Sequence, residues 1–246
     1  MINYIKADIY RNFNRLYFWG FVASISLLGL AFNILLTDPN FMMSDLFFYS
    51  TQFLLIPIFL VVIIIDMVIG EEFKNLTIKN VVSFGLSRDK IILSKIITTI
   101  ILSVVAAIII LVVFLGSGWI LFGGKDELSF SIVSNFFLRL GTAVPLWIGA
   151  ITVGTFITLL IRNNTISAYA YIVLFTATGI IIRILATLIS DKFMVIHKYL
   201  ITTNISKLSE ENLASGDYIS ILIIALAYII VFTVFCVTYF RKKEIA

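Results

Sequence analysis

The chain has 246 residues, of which 61% are hydrophobic and 13% charged, and its mean hydropathy is +1.09. A soluble domain holds about 45–50% apolar and about 25% charged residues, so the surplus apolar side chains have no interior to fill. Composition thus excludes a soluble enzyme, a disordered chain and a collagen-like one, and three Pro with a single Cys exclude a disulfide scaffold and a thiolate metal site.

Residues 2–17 come first. Ile2, Ile5, Ile9, Phe13 and Leu16 recur at steps of three and four, with Lys6, Asp8, Arg11, Asn12 and Arg15 on the other side. That spacing predicts an amphipathic helix over residues 1–15, lying on the inner leaflet with its bases near anionic lipid. It reads as a topological anchor or as a platform for a cytoplasmic partner.

Six apolar runs follow, each long enough for the roughly 20 residues that a membrane helix needs. They cover residues 16–36, 46–69, 91–122, 132–161, 165–189 and 218–240. The first is span-length and lacks a small-residue cleavage pattern, so it reads as a retained helix rather than a signal peptide. Spans three and four are long and must tilt or project beyond the lipid. Pro57 and Pro145 fall inside spans two and four, where neighbours must re-satisfy the freed carbonyls. Lone Cys236, in an apolar run, reads as a small packing residue.

Orientation follows from the bases. Lys6, Arg11, Arg15, Lys74, Lys79, Arg88, Lys90, Lys95, Arg162, Arg241, Lys242 and Lys243 fall on one side. Lys125, Lys192, Lys198 and Lys207 fall on the other. This bias predicts that both termini are cytoplasmic. The net charge of +4 reflects that topology, and bases spread over separate segments argue against nucleic acid as a partner. The expected architecture is an all-α integral membrane protein with six transmembrane helices, one domain over residues 1–246, multi-pass in the cell membrane.

Three ionisable groups lie within the spans, and such groups are functional candidates. Asp66 sits one turn from the cytoplasmic end of span two, where it snorkels or forms a gate-side pair. Arg139 and Arg183 lie near the outer side and read as snorkelling to the outer leaflet; facing a dimer axis, they would set a polar outer gate. The outer loop, residues 190–217, is apolar in its first half and predicts a re-entrant or interfacial helix pair. Its His197, the sole His, cannot build a two- or three-His metal site and is expected at a solvent-facing surface.

Residues 70–95, GEEFKNLTIKNVVSFGLSRDKIILSK, are the most informative stretch. The joint is far longer than the two to eight or so residues that usually connect packed helices. Gly85 can stop a short helix, Ser87 can cap the next, and Lys90 and Lys95 can snorkel at the base of span three. Such an element can receive a push and pass it on; the other reading is an ordinary basic loop, against which its length and internal order count.

The stretch resembles the cytoplasmic signature of ABC-2-type ABC transporter permeases, particularly small six-span permeases of Gram-positive bacteria that handle bacteriocins, bacitracin-like antibiotics and toxin peptides. The matching residues are Glu71-Glu72, then Asn75-Leu76-Thr77-Ile78-Lys79-Asn80, then Gly85-Leu86-Ser87-Arg88, then Ser94-Lys95. Leu76 departs from the pattern by standing where a Gly is usual. The resemblance implies a coupling helix within the 70–90 loop that docks into a separate ABC ATPase subunit. Glu71, Glu72, Lys74, Asn75, Thr77, Lys79, Asn80, Ser87 and Arg88 would then lie at the ATPase interface. It further implies a connecting helix at the N-terminus, a second permease copy or paralogue, and a pathway lined by spans two and five. Tyr49, Gln52, Phe53, Asp66 and Arg183 are the pathway candidates.

The chain carries no Gly-x-x-x-x-Gly-Lys-Ser/Thr phosphate loop. No cofactor is therefore expected on it, with ATP and Mg held by the partner, and the chain is expected to be a transport subunit and not an enzyme. Long apolar spans suit an amphipathic peptide as cargo, for toxin secretion or self-immunity. An intramembrane protease is the enzyme alternative, but Gly116-Ser117-Gly118 lacks the required spacing and no span contains His. A secondary transporter would show two similarly broken halves, and beyond Pro57 and Pro145 the halves do not match.

Overall fold

A computed structural model describes residues 1–38, 40–71, 86–123, 128–161, 163–210 and 213–242. Among them every regular element is helical. In chain order these are α1 (Ile2–Phe13), α2 (Leu16–Leu35), α3 (Met43–Gln52), α4 (Ile56–Ile65), α5 (Arg88–Phe122), α6 (Phe130–Ile161), α7 (Asn164–Leu188), α8 (Phe193–His197), α9 (Ile201–Lys207) and α10 (Ser215–Lys242). A 3-10 turn, Phe53–Leu55, joins α3 to α4, and a π-helical turn, Asp66–Gly70, extends α4. Six helical rods are long and apolar enough to cross a membrane: α2, the composite Met43–Gly70, α5, α6, α7 and α10. The 35 residues of α5 and 32 of α6 outrun the lipid, as expected. At about 1.5 Å per residue each is well over the roughly 30 Å of a hydrocarbon core.

Close approach of backbones sets the centre of the bundle. α6 packs along α10, where a Cβ on Gly149 would meet Tyr228 Cβ at 3.2 Å and Ala225 O at 3.8 Å. At Gly154 an added Cβ would lie 2.5 Å from Ile65 and 2.9 Å from the Tyr171 ring, so only glycine lets α4 and α7 close on α6 there. Tyr171 is 1% exposed and donates its hydroxyl to Ile58 O at 2.8 Å. Cys236 is fully buried with its thiol 3.7 Å from Thr152 O, the packing role expected of it.

Span two is broken where Pro57 removes a backbone donor. The carbonyls around the break find side-chain partners: Trp147 Nε1 donates to Leu54 O at 3.0 Å and Ser209 Oγ to Thr51 O at 2.8 Å. Away from water such substitution is what makes a proline break tolerable.

The first helix meets the bundle with its polar side. Asp8 and Asn12 are buried at 4% and 0%, while Ile2 and Tyr10 stay 67% and 74% exposed. Asp8 was expected on the water-facing side of an interfacial helix, and Lys95 was expected to snorkel. Instead Lys95, 1% exposed, reaches Asp8 Oδ2 at 2.8 Å and lies 5.2 Å from the centre of the Tyr4 ring. The reason is that Lys95 begins two turns inside an apolar helix, where a carboxylate is closer than water. Arg11 shares the same carboxylate at 2.5 Å, and Asn12 Nδ2 donates to Asp8 O at 2.8 Å. Phe13, Phe18 and Trp19 then pack together at the elbow into α2.

Breaking a buried ion pair is costly, so Asp8→Asn, which takes the carboxylate from both Lys95 and Arg11, should cost about 3–5 kcal/mol in detergent-solubilised protein, and Lys95→Met, which leaves Asp8 its Arg11 contact, should cost less. The double variant Asp8→Leu/Lys95→Met should recover most of the loss. Denaturant unfolding checks both; single variants within experimental error of wild type would show that the pair is not buried.

Candidate functional site

At the end of the bundle that carries α1 and the last turn of α10, charged contacts frame the segment between spans two and three. Glu71, the last described residue before it, accepts from Arg15 Nη1. Beyond it, Ser87 holds the N-cap position of α5, as expected, although its hydroxyl makes no capping bond. Arg88 Nη1 donates to Arg241 O at 3.1 Å, and the Arg241 guanidinium grips the Asp89 carboxylate, with Nε to Oδ1 at 2.6 Å. The Asp8–Lys95 pair lies two turns further along α5. α1, the base of span two, the base of span three and the end of α10 are thereby cross-linked. Glu72, Lys74, Asn75, Thr77, Lys79 and Asn80 lie outside the described residues, so only Glu71, Ser87 and Arg88 of the expected interface residues are placed.

The pathway candidates do not converge within one chain. Tyr49 is 47% exposed and stacks on Phe41, Gln52 Nε2 donates to Ser209 O at 3.3 Å, and Phe53 packs edge-on to Phe32. These three lie at the end opposite the termini. Asp66 lies at the other end, half-buried in the π-helical turn. There the backbone of Gly70 passes under both Asp66 Oδ1 and the Asn164 side chain, which an added Cβ would meet at 2.9 Å or less. π-helical turns of this kind are frequent at functional sites.

Arg183 and Arg139 both make specific contacts where snorkelling was expected. Arg183 is exposed yet donates Nε to His197 Nε2 at 3.0 Å, pinning α8 onto α7. Accepting at Nε2 places the proton of the neutral imidazole on Nδ1. His197 is 7% exposed, not solvent-facing, because the α8–α9 pair folds back over it, with Thr203 Oγ1 at 3.4 Å. Burial, reinforced by the Arg183 charge, holds the imidazole below its ordinary 6.5. The two short helices of the 190–217 loop are the helix pair that its apolar half predicts.

Arg139 is buried at 6% and turned inward. Its Nη1 donates to Leu208 O and Glu210 O, both at 2.6 Å, and its Nε to Asn135 Oδ1 at 2.7 Å. It thus clamps the carboxyl end of α9, where unpaired carbonyls concentrate negative potential. A cavity of about 310 Å³ adjoins it, lined by faces of α3 and α6 and by Ser209. None of the five pathway candidates lines that cavity. Among the described residues no cluster of three or more His, Cys, Asp or Glu could hold a metal ion.

Comparison with protein families returns one match, described as protein of unknown function (DUF2705), over residues 17–246. The chain belongs to this family. The matched region takes in the six apolar rods, short of Leu16 at the start of α2, and leaves α1 outside. No curated protein matches the chain.

Two outcomes follow from this geometry. Gly70→Ala drives a methyl into Asp66 and Asn164 and should destabilise by about 1–3 kcal/mol, read by thermal unfolding, whereas Gly20→Ala, in open space, should not. The His197 pKa is depressed in the folded state, so its contribution to stability is whole above pH 6.5 and is lost as pH falls below it. The unfolding midpoint should decline with acidification below that point, and His197→Gln, which keeps an acceptor for Arg183, should flatten the decline.

Proposed function

We propose that this chain is the membrane-spanning permease subunit of an ATP-driven ABC exporter, pairing with a second permease copy or paralogue and with separate ATPase subunits. Both termini are cytoplasmic on this reading, following the distribution of bases. The observation that carries it is the cross-linked frame around residues 72–85. Arg15–Glu71, Asp8–Lys95 and Arg241–Asp89 bind the two span bases flanking that segment to α1 and α10. A displacement imposed on the segment by an ATPase then reaches spans two and three as one body rather than being absorbed in loose joints. The motif residues quoted above supply the family resemblance, and the missing phosphate loop puts hydrolysis on the partner.

The cargo is a hydrophobic or amphipathic peptide, moved out of the cell or the membrane for secretion or self-immunity. Beyond Gln52, Leu54, Ile58, Val61, Ile64 and Ile65 are buried in the bundle, and the side of span two that stays at least partly exposed, Phe53, Leu55, Ile56, Phe59, Leu60, Val62 and Ile63, is wholly apolar. A hydrated ion passing such a wall sheds water without replacement partners, at several kcal/mol or so per polar group. An amphipathic helix slides its apolar face along the same wall.

Mild detergent extraction from the native host should recover an ABC ATPase with this chain, and the chain alone should hydrolyse no ATP. Robust hydrolysis by the purified chain, or extraction without any ATPase, rejects the reading in favour of a secondary transporter or an intramembrane enzyme. Arg88→Glu should preserve expression and abolish transport. Deletion of the gene should change either survival under membrane-active peptides or the peptide content of the medium.

A further inference from the structure

Arg183 carries a charge that nothing among the described residues compensates. Lys95 meets the Asp8 carboxylate inside the bundle, and Arg139 is turned inward onto the Leu208 and Glu210 carbonyls. Arg183 stands on the outward face of α7, and its side-chain bond runs from Nε to His197 Nε2, a neutral acceptor. Among the described residues Nη1 and Nη2 have no hydrogen-bond partner, and no carboxylate pairs with the guanidinium. The bond to His197 thus fixes the plane of the guanidinium and leaves its two NH2 groups in the fork that takes an anion bidentately.

The surroundings say which anion. Ile172, Thr176, Ile180, Arg183 and Thr187 follow the three-and-four spacing of one exposed helix face. Thr176 and Thr187 turn their hydroxyls onto the Ile172 and Arg183 carbonyls of their own helix, so the face beside the guanidinium offers hydrocarbon. On α8, Val195, Ile196 and Tyr199 are exposed as well. Depth matters too. The 25 residues of α7 exceed the hydrocarbon core by about 7 Å, and Arg183 lies about 7 Å from the carboxyl end. From there a long side chain carries its charge to the level of the lipid headgroups. A second copy related by a two-fold axis along the membrane normal would bring its own Arg183 to the same depth, adding a like charge instead of an anion.

We propose that Arg183 is the phosphate-binding group of a phospholipid site on the outward face of α7, in the leaflet at the end opposite α1, with the first acyl segment lying along Ile180, Thr176 and Ile172. An uncompensated guanidinium at headgroup depth complements a phosphodiester, and the apolar face that continues from it towards the bilayer centre complements the chain attached to that phosphate. The site is independent of any ATPase, so its test stands apart from the exporter reading.

The test is native mass spectrometry of the full chain released from a neutral detergent, after titration with phosphatidylglycerol or with diacylglycerol of the same acyl chains. One phosphatidylglycerol should bind saturably ahead of further adducts. Diacylglycerol should not, and millimolar inorganic phosphate should not displace the lipid. Arg183→Gln, which removes the charge but keeps a donor for His197, should raise the half-saturating concentration by about tenfold. Thr187→Glu, one turn along the same face, sets a carboxylate beside the guanidinium. It should do the same with Arg183 in place and with the lipid-free unfolding midpoint unchanged. Unaltered half-saturation in both variants overturns the site. Equal binding of diacylglycerol means general solvation by lipid and overturns it too. Displacement by inorganic phosphate removes the lipid from the proposal, and displacement by a carboxylate-ended amphipathic peptide at lower concentration than the lipid makes Arg183 a cargo contact instead.

Discussion

A lysine ammonium and an aspartate carboxylate, each 2% exposed in its side chain, meet at 2.8 Å where α1 crosses the base of α5. Two charges removed from water lose far more hydration than a solvent-exposed pair, and only close geometry with further hydrogen bonds offsets that loss. Arg11, Asn12 and the Tyr4 ring supply the further contacts. The pair therefore cannot be loosened by small amounts. α1 either sits in this register, with Asp8 inward and Ile2 and Tyr10 outward, or gives up the buried Asp8–Lys95 contact. The same register puts Arg15, one helical turn beyond Asn12, within reach of Glu71 at the base of span two.

The opposite end is organised largely by side chains that donate to backbone carbonyls, with the Lys207–Asp217 ion pair tying α9 to α10. Proline and the 3-10 turn open span two, and α9 ends beside the opening. Arg139, Trp147 and Ser209 each donate to a carbonyl released by one of these breaks. In a soluble protein water would do this work, but at membrane depth the donors must come from side chains. The two ends differ accordingly: one is a frame of ion pairs around the segment between spans two and three, the other a mesh of carbonyl-bound donors around a small cavity. In an exporter the first is suited to receiving force, and the second to holding the far side together while the spans move.

Some of this was legible in the amino-acid order. Six apolar rods appear within a few residues of their expected bounds, because a run of about 20 apolar residues has one stable arrangement in lipid. The short helix pair after span five and the packing role of Cys236 were also readable, from local apolar spacing. Arg139 and His197 were not. Both were assigned to surfaces from their position in the chain, yet both are buried, because α9 folds back to offer Leu208 and Glu210 carbonyls to one while the α8 turn covers the other. One signal for the Asp8–Lys95 pair did exist: Asp8 is the sole acid before Asp38, and Lys95 interrupts an apolar run.

The sequence by itself determined that this is a six-rod helical chain and, to within a few residues, where the rods begin and end; Pro57 and Pro145 marked where a backbone donor is missing, although span two is interrupted beside Pro57 while α6 runs through Pro145. Those are properties of hydropathy and of a missing backbone donor, and they need no partner to take effect. Only the tertiary structure decided which face of α1 turns inward, which carbonyls Arg139 holds, and that Asp66 and Asn164 close over Gly70. Each of these joins residues more than sixty positions apart or selects between two faces of one helix. Periodicity tells that a helix has two faces, but a burial preference for polar residues arises only when a charge on another helix lies in wait at the same depth.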